Sequence, residues 1–393
     1  MTLLGNARVV TPGGVLSPGW VRIEGSRIEA VGSGPPTGQE TEVRDLGGAW
    51  LLPGFVDIHV HGGGGASMTD ADAAQILQAV EFHRRHGTTR TLVSLVTAPL
   101  ETMLAGAAVV ADLVHAGVPG IAGSHLEGPF LSRPRRGAQD PDSLLAPDAA
   151  VLERLLAAGR GTVRMVTVAP ELPGALELIR AVTAAGAVAA VGHTDASYEE
   201  AARGFEAGAR VATHLFNGMR PLHHRDPGAV AAALERADVV CELVNDGIHL
   251  APSAIRLVAL AAGPDRMALI TDAISATGMP DGDYLLGPKP VRVREGRATL
   301  AEGGTIAGST LTMDRAFRRT VREVGLPVED AVTAASATPA RVLGLEAAIG
   351  AIAPGREADL VVLDESLELV EVMGGGSRLS LEVGIEEKGG TRC

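Results

Sequence analysis

The stretch LLPGFVDIHVHGGGG, residues 51–65, is an apolar run that ends in two histidines, His59 and His61, and continues into four glycines. Side chains two residues apart in a strand point to the same face. We therefore predict a buried strand that presents both imidazoles on one side, as two ligands of a shared metal ion require. Glycine has no Cβ atom, and we expect the glycines to let the next loop clear the metal and its substrate.

Similar apolar runs recur along the chain, and segments of helical period follow most of them. We predict eight strands rich in Val, Ile and Leu, within residues 55–61, 90–97, 120–128, 163–170, 187–194, 210–216, 239–246 and 267–273. Nearly continuous apolar strands are typical of parallel sheets that are covered on both faces. Eight strand–helix units in about 250 residues favour an α/β fold of the (β/α)8 TIM-barrel type over an open sheet.

Short strands bounded by Gly and Pro occupy both ends of the chain. We predict that residues 1–52 and 350–393 together form a small β-sandwich domain beside a barrel domain of residues 53–349. Residues 290–308 are predicted to be a strand-rich insertion. The last residues, 384–393, show no structural pattern and are predicted to be a flexible tail.

The composition argues against several functions. The formal net charge of −13 disfavours a general nucleic-acid surface, which needs clustered basic residues, although a few local cations can still bind a small anion. The two cysteines, Cys241 and Cys393, give no disulfide framework and suit a reducing cytosol. No apolar run is long and unbroken enough to span a bilayer. We expect a cytoplasmic protein without nucleic-acid or membrane partners.

The carboxyl ends of the barrel strands carry the functional residues of TIM-barrel enzymes. Besides His59 and His61, the predicted strand ends carry five more such side chains, Glu127, His193, His214, His249 and Asp272. Such His, Glu and Asp side chains suit a divalent metal, zinc first, with iron, cobalt or manganese as alternatives. Zinc can lower the pKa of water to about 7, so that water can attack a carbonyl. Asp272 is expected to accept the proton and return it to a leaving nitrogen.

A single histidine at a strand end is more often structural than metal-binding, but four histidines and two carboxylates at different strand ends together indicate a metal site. His83, His86 and His115 fall in or after the predicted helices, where we expect a solvated face. His223 and His224, in PLHHRDPG, lie in a loop near the barrel mouth. For these two, substrate contact and a structural role are equally consistent with the sequence.

Longer motifs resemble known enzymes. PGFVDIHVHG and GREADLVVLD are similar to the amidohydrolase superfamily. HLEGPFL, THLFNGM, RDPG, NDGIHL, TDAISATG and GTIAGSTLTM resemble the N-acetylglucosamine-6-phosphate deacetylase family, in the family's order and over nearly the whole chain. The resemblance implies metal-dependent hydrolysis of the acetamide of a phosphorylated amino sugar, N-acetylglucosamine 6-phosphate, to glucosamine 6-phosphate and acetate.

The resemblance also implies a role for each matching residue. It gives three principal metal ligands, Glu127, His193 and His214. Asp272 matches the catalytic acid and base, and His249 matches a residue that holds the substrate. Arg225 is implied to bind the phosphate, in the family from the partner subunit of a homodimer. Further substrate contacts, largely through backbone groups, are implied for Asn217, Gly218, Ile306, Ala307 and Gly308.

Two features leave alternatives open. Family members without the histidine pair use one metal ion, so His59 and His61 are compatible with one ion or two. At Gln139 the family usually has a histidine that touches the sugar, and glutamine carries no charge near neutral pH. N-acetylgalactosamine 6-phosphate or another N-acyl compound is therefore the alternative substrate. A non-catalytic sugar-phosphate-binding barrel fits less well, because Asp272 and the ligands are all present. No predicted strand end offers a lysine for carboxylation.

Overall fold

The computed structural model of the 393-residue chain describes residues 1–36 and 42–380, so the predicted tail, 384–393, lies outside the described residues. The strands are β1 (Thr2–Thr11), β2 (Gly14–Glu24), β3 (Arg27–Ser33), β4 (Glu42–Asp45), β5 (Trp50–Pro53), β6 (Phe55–Val60), β7 (Gly62–Gly63), β8 (Ala66–Ser67), β9 (Thr88–Val96), β10 (Ile121–Glu127), β11 (Val163–Val168), β12 (Val188–Val191), β13 (Val211–Ala212), β14 (Val240–Val244), β15 (Met267–Ile270), β16 (Gly282–Leu286), β17 (Lys289–Arg294), β18 (Arg297–Leu300), β19 (Leu360–Leu363), β20 (Leu369–Gly374) and β21 (Ser377–Arg378).

The α-helices are α1 (Ala73–Arg85), α2 (Leu100–His115), α3 (Ala149–Gly159), α4 (Ala175–Ala184), α5 (Tyr198–Glu206), α6 (Gly228–Glu235), α7 (Pro252–Ala262), α8 (Met313–Arg319), α9 (Val328–Val332) and α10 (Thr338–Val342). Short 3₁₀ turns occupy Arg133–Arg135 and Pro264–Arg266, and π-helical turns occupy Thr320–Val324 and Thr333–Ala337. Among the described residues, no helix combines the length and the hydropathy needed to cross a bilayer.

Eight parallel strands form the predicted barrel. They are paired in chain order, as β6, β9, β10, β11, β12, β13, β14 and β15. Each strand lies within a run predicted from the sequence, except that β9 begins two residues before its run, at Thr88, and the TIM-barrel prediction is confirmed. β13 is shorter than predicted, because the backbone enters the left-handed region two residues after it, at His214.

The first and last barrel strands meet through a buried carboxylate. Asp57 of β6 accepts hydrogen bonds from the Thr271 hydroxyl at 2.6 Å and from the Thr271 backbone N–H at 3.3 Å. Just beyond, the Asp272 N–H donates to the His59 carbonyl at 2.9 Å, and the His61 N–H donates to the Ala273 carbonyl at 2.8 Å. These bonds fix β6 against β15, so the first and eighth strand ends stay together.

The two ends of the chain form a second sheet with the order β21–β20–β19–β5–β1–β2–β3, and β4 also pairs with β1. Most neighbours are antiparallel, whereas β4 and β5 are parallel to β1. This sheet has an apolar core of its own, which includes Leu4, Val21, Leu51 and Leu360. A small β domain built from both chain ends is thus confirmed. The exact boundaries at 52 and 350 stay predictions.

The strand-rich insertion is also present, but it begins earlier than predicted, at Gly282. β16, β17 and β18 form a separate antiparallel sheet after the last barrel strand. Its buried Val291 and Val293 pack in one cluster with Val96 of β9 and with Ile274 after β15. The insertion therefore lies against the carboxyl ends of the barrel strands, where it can wall a pocket.

Candidate active site

The predicted strand-end residues converge at one end of the barrel. They surround a cavity of about 260 Å³. Its lining includes eleven of the predicted residues, His61, Glu127, Gln139, His193, His214, Asn217, Gly218, His249, Asp272, Ile306 and Gly308. His59 lies fully buried behind this lining. Arg225 and Ala307 are not among the lining residues.

Three of the predicted ligands form a compact cluster. Glu127 Oε1 lies 2.9 Å from His193 Nε2 and 3.2 Å from His214 Nε2, and the two Nε2 atoms are 3.1 Å apart. One nitrogen or oxygen atom from each residue lies within 4.8 Å of the others. The three side chains therefore offer a set of donor atoms that can converge on one metal ion.

A second cluster lies beside the first. His59 Nε2 and His61 Nε2 are 3.1 Å apart, and Asp272 Oδ1 lies 3.2 Å from His61 Nε2 and 3.7 Å from His59 Nε2. Glu127 reaches this cluster too, with Oε1 3.4 Å from His59 Nε2 and Oε2 3.3 Å from His61 Nε2. Glu127 is therefore the side chain that connects the two clusters.

All four ligand histidines are held in the same tautomer by their other ring nitrogen. The acceptors facing Nδ1 are the Glu242 carboxylate for His59 and the carbonyls of Ser94, Arg135 and Asn217 for the other three. Each Nδ1 must therefore carry a proton, which leaves Nε2 as the ring nitrogen that can coordinate an ion in the cluster. Two sets of one carboxylate and two imidazoles fit a divalent metal such as zinc, so the chain's residues fit the expected ion.

The charges in the clusters favour anionic carboxylates. Burial raises the pKa of Glu127, but the neighbouring His59, His193 and His214 outweigh it and hold that pKa well below its usual range. Burial also opposes ionisation of Asp272, yet its hydrogen bond with His61 and the nearby His59 bring its pKa to about 2. Asp272 is therefore a carboxylate at neutral pH and can accept a proton.

Three of these residues have an unusual backbone. His193, His214 and Asp272 have φ angles of +46°, +29° and +50°, values that residues other than glycine rarely adopt. Each stands two residues after its strand, where the chain turns out of the barrel wall. Such strain at a site persists only when the surroundings hold it. Here it points the three side chains into the pocket.

Gln139, the position that departs from the family, is firmly placed. Its Oε1 accepts a hydrogen bond from the Thr97 backbone N–H at 2.8 Å, so its amide nitrogen must face the other way. That nitrogen donates to Glu127 Oε2 at 2.5 Å. Gln139 thus lines the pocket and also orients the carboxylate that connects the two clusters.

His249 forms a buried pair with a carboxylate that sequence reasoning missed. Asp246 Oδ2 lies 2.7 Å from His249 Nδ1, and Asp246 Oδ1 accepts the backbone N–H groups of Ile248 and His249. Burial lowers the pKa of His249, but the bond and the charge of Asp246 outweigh it and raise that pKa above its usual value. His249 can therefore present a positive N–H group to a substrate oxygen in the pocket.

The segment around residue 308 forms the pocket wall beside Asp272. The Ser309 N–H donates to the Asp272 carbonyl at 2.7 Å, and a Cβ atom on Gly308 would come within 2.8 Å of that same carbonyl oxygen. Only glycine fits there. Ala307 does not match its predicted role through the backbone, because it is fully buried and its N–H already donates to Ala298.

The glycines after His61 act differently from the prediction. A Cβ atom on Gly62 would lie 2.8 Å from the Ser275 nitrogen, and the loop after it is bonded to residues 275–277. None of residues 62–65 lines the described pocket. The glycines permit close packing of this loop on the segment after Asp272, so clearance for substrate is not their role.

The prediction of a solvated face is wrong for His83. This side chain is fully buried, and its Nε2 donates to the Gly62 carbonyl at 2.9 Å. Burial lowers its pKa to about 4. His83 is therefore a neutral imidazole that anchors the glycine loop. Its position in a helix did not by itself predict this buried contact. His115 is exposed, as predicted, and His86 is half-buried, with Nδ1 3.5 Å from Asp314.

The loop that carries Arg225 is exposed outside the pocket. His223 and His224 are exposed with it, and Arg225 Nη1 lies 2.7 Å from His224 Nε2. Within this chain Arg225 therefore does not reach the site, and its predicted contact with a phosphate stays a prediction.

Other buried polar residues behind the site were also missed. His125, two residues before Glu127 and therefore on the same face of β10, contacts the hydroxyls of Ser94 and Thr167 at 3.0 Å and 2.9 Å. Burial lowers its pKa well below the usual value, so it stays neutral. The signal that could have revealed these residues was a polar side chain inside an otherwise apolar strand, as at His125 and at Glu242 of β14.

Comparison with known proteins decides the family. The sequence profile described as "Amidohydrolase family" matches residues 50–379, most of the chain and all of the site residues. The chain belongs to the amidohydrolase family. The resemblance drawn from its motifs is therefore confirmed, and this amidohydrolase is an enzyme of a metal-dependent hydrolase family.

Curated relatives of this amidohydrolase share its length. N-acetylgalactosamine-6-phosphate deacetylase of Escherichia coli O157:H7 is 37% identical over 93% of this chain and 96% of the relative. N-acetylglucosamine-6-phosphate deacetylase of Bacillus subtilis is 34% identical over 94% of both chains.

Solved structures agree with that placement. N-acetyl-D-glucosamine-6-phosphate deacetylase of Mycobacterium smegmatis, a mutant in complex with N-acetyl-D-glucosamine-6-phosphate, is 45% identical with a TM-score of 0.92, over 96% of this chain and 99% of that one. The Thermotoga maritima N-acetylglucosamine-6-phosphate deacetylase is 32% identical with a TM-score of 0.87, over the same shares of the two chains.

Proposed function

We propose that this amidohydrolase hydrolyses the acetamide of N-acetylglucosamine 6-phosphate to glucosamine 6-phosphate and acetate. The observation that carries the proposal is Asp272, an ionised carboxylate placed 3.2 Å from His61 Nε2 at the floor of the pocket. Asp272 belongs to one of the two ligand clusters that Glu127 joins. The Mycobacterium relative, 45% identical, is named for this reaction and was solved with this sugar phosphate bound.

We propose that each cluster holds one divalent ion, zinc first, with Glu127 contributing to both. A bound ion of this kind polarises a carbonyl oxygen and lowers the pKa of water. Asp272 removes the proton from the attacking water and then delivers it to the amide nitrogen as the acetyl group leaves. His249, held by Asp246 2.7 Å away, donates to the substrate oxygen on which negative charge develops.

Asn217, Gly218, Ile306 and Gly308 are proposed to position the sugar, because they line the pocket beside the ligands. Gln139 is fixed between Thr97 and Glu127. Ala307 is proposed to act only by supporting this wall, since its N–H is used within the protein.

The phosphate is proposed to be held by a second copy of the chain. Among the described residues that line this pocket there is no Lys or Arg. Such a cation is a common phosphate ligand, and arginine binds two of the phosphate oxygens at once. Arg225 is exposed and free to extend from its loop into a partner's pocket. We therefore propose a homodimer in which Arg225 completes the site of the other subunit.

Replacing Arg225 should weaken binding of the phosphorylated substrate. Because a hydrogen bond to a charged group contributes about 1.5–3 kcal/mol, Arg225→Ala is expected to raise KM roughly 10- to 100-fold with a smaller change in kcat. The measurement is steady-state kinetics with the sugar phosphate and with unphosphorylated N-acetylglucosamine, whose KM should not change. Arg203→Ala, at an exposed arginine of α5, is the control. An equal effect on both sugars would contradict the phosphate role.

The same variant tests the dimer. Mixing Arg225→Ala chains with Asp272→Asn chains should restore activity, because one site of the mixed dimer combines an intact Asp272 with an intact Arg225 from the other chain. Activity that stays at the level of the separate variants would show that Arg225 does not act across subunits.

Metal binding should strengthen as pH rises. In the metal-free protein burial lowers the pKa of His61, but its bonds to Asp272 and Glu127 outweigh it and raise that pKa to about 9. Below that value an ion must displace a proton from His61, and the pKa of His59 in the same cluster is also raised. One released proton predicts a loss of affinity of roughly 100-fold from about pH 8 to about pH 6, and a proton released from His59 increases that loss. Competition with a chromophoric chelator at several pH values measures it. A flat profile would contradict the ligand role of His61.

The alternative substrate is N-acetylgalactosamine 6-phosphate, for which the Escherichia coli relative is named. Gln139 keeps this alternative open, because its Oε1 is used by Thr97 and one amide proton by Glu127, which leaves only the second amide proton for a sugar hydroxyl. Acetate release from the two sugar phosphates, measured side by side, separates the epimers. We also propose a cytoplasmic location, on the composition alone.

The deciding experiment is acetate release from N-acetylglucosamine 6-phosphate by the purified protein, with metal content measured on the same sample. We expect release that stops on chelation and returns with a divalent ion. A fully metallated protein that releases no acetate from either epimer would overturn the proposed function.

A further inference from the structure

Glu242 is a buried carboxylate directly behind the two ligand clusters. It stands in the middle of β14 with no exposed surface. Its Oε2 accepts a hydrogen bond from His59 Nδ1 at 3.0 Å and one from the His214 backbone N–H at 3.1 Å. No described residue bonds its Oε1. A carboxylate at this depth is costly to desolvate, so its position requires an explanation.

We propose that Glu242 is a positioning residue that sustains metal binding at the cluster of His59, His61 and Asp272. This inference rests on the proposed function, because it assumes that the cluster holds an ion. By accepting the Nδ1 proton, Glu242 keeps the Nε2 lone pair of His59 directed at the cluster. Its negative charge also makes that imidazole a stronger donor to a metal, as carboxylates behind ligand histidines do.

The arrangement distinguishes His59 from the other ligand histidines. His61, His193 and His214 each direct Nδ1 at a backbone carbonyl. Within the described residues, His59 alone among the four directs it at a carboxylate. His59 is also the one that does not line the pocket. Because His59 lies behind the pocket lining, contacts with the protein and not with a substrate hold its ring in place. We therefore expect the charge of Glu242 to affect most strongly the ion that His59 binds.

Glu242 also fixes where this cluster lies relative to the other. The oxygen that holds His59 accepts the N–H of His214, whose backbone φ is +29°. One carboxylate oxygen thus ties the side chain of a ligand in one cluster to the strained backbone of a ligand in the other. The two ligands come from β6 and from the turn after β13, which Glu242 connects across the barrel interior.

The test is the metal content of the Glu242→Gln protein. Glutamine keeps the length and can keep the accepting oxygen, but it removes the charge. We expect the metal content of the purified variant to fall from two ions per chain to one. The affinity of the His59, His61 and Asp272 cluster for added metal, measured by chelator competition, should drop roughly 10- to 100-fold. Glu371→Gln is the matched control, because Glu371 is also buried but lies in β20 of the second sheet, paired with Arg44. The control should keep two ions.

A second variant covers the case in which Glu242→Gln does not fold. Glu242→Asp keeps the charge but withdraws it by one methylene, so it should also lose one ion. In a His59→Asn background, Glu242→Gln should cause no further loss if Glu242 acts through His59. A wild-type protein with one ion, or Glu242 variants that keep both ions at wild-type affinity, would overturn the proposal. None of these measurements depends on turnover, so the acetate assay tests the proposed function independently of the role of Glu242.

Discussion

The Asp272→Asn protein is expected to fold and to keep the ion of the Glu127, His193 and His214 cluster, yet to lose turnover by about 10²- to 10⁴-fold. The loss follows because the amide of asparagine cannot accept and return a proton as the carboxylate does. The fold should survive, because residue 272 has a φ of +50°, which asparagine tolerates better than most residues. Its backbone bonds to His59 and Ser309 do not involve the side chain.

The measurement is kcat with the sugar phosphate, together with metal content and thermal unfolding. Asp283→Asn makes the same chemical change at an exposed position of the insertion and should leave kcat unaltered. Near wild-type turnover in the Asp272→Asn protein would remove Asp272 as the acid and base.

The Glu127→Ala protein is expected to lose most of its bound metal. Glu127 places carboxylate oxygens in both clusters and accepts a hydrogen bond from the Gln139 amide. Its removal therefore leaves the four histidine rings without the anion at their centre. Turnover should fall at least about 10³-fold, since a Lewis-acid ion contributes several kcal/mol and each 1.36 kcal/mol is tenfold in rate.

Metal content by elemental analysis and kcat on the same preparation test this expectation. Glu371→Ala, which removes a buried carboxylate far from the barrel mouth, separates loss of metal from general loss of stability. Unchanged metal content in Glu127→Ala would refute the assignment of Glu127 as the shared ligand.

Most of the fold and of the ligand set could be predicted from the sequence. The eight apolar runs predicted the eight barrel strands, because strands covered on both faces need apolar side chains along their whole length. His59, His61 and Glu127 were found because they end such runs. Parallel strands bring those ends together at one rim, however far apart the residues lie in the chain.

Residues that act from behind the ligands were harder to predict. Asp246 and Glu242 were not identified, because a single acidic residue in an apolar stretch does not indicate which histidine its side chain will contact. His83 was placed on a solvated face, since helical period alone does not say that its ring turns inward to Gly62. The glycines after His61 were assigned to substrate clearance, whereas the contacting segment, at Ser275, is distant in sequence.

The sequence by itself thus determined the barrel, the rim at which the site lies and the identity of the residues that can bind a metal. These follow from strand periodicity and from the chemistry of His, Glu and Asp. Only the tertiary structure decided that the ligands divide into two clusters, that Glu127 joins them, that Glu242 supports His59 and that Arg225 lies outside its own chain's pocket. The first three depend on distances of about 3 Å between residues from different strands, and the last depends on how far a side chain lies from a cavity. Strand periodicity determines neither kind of distance.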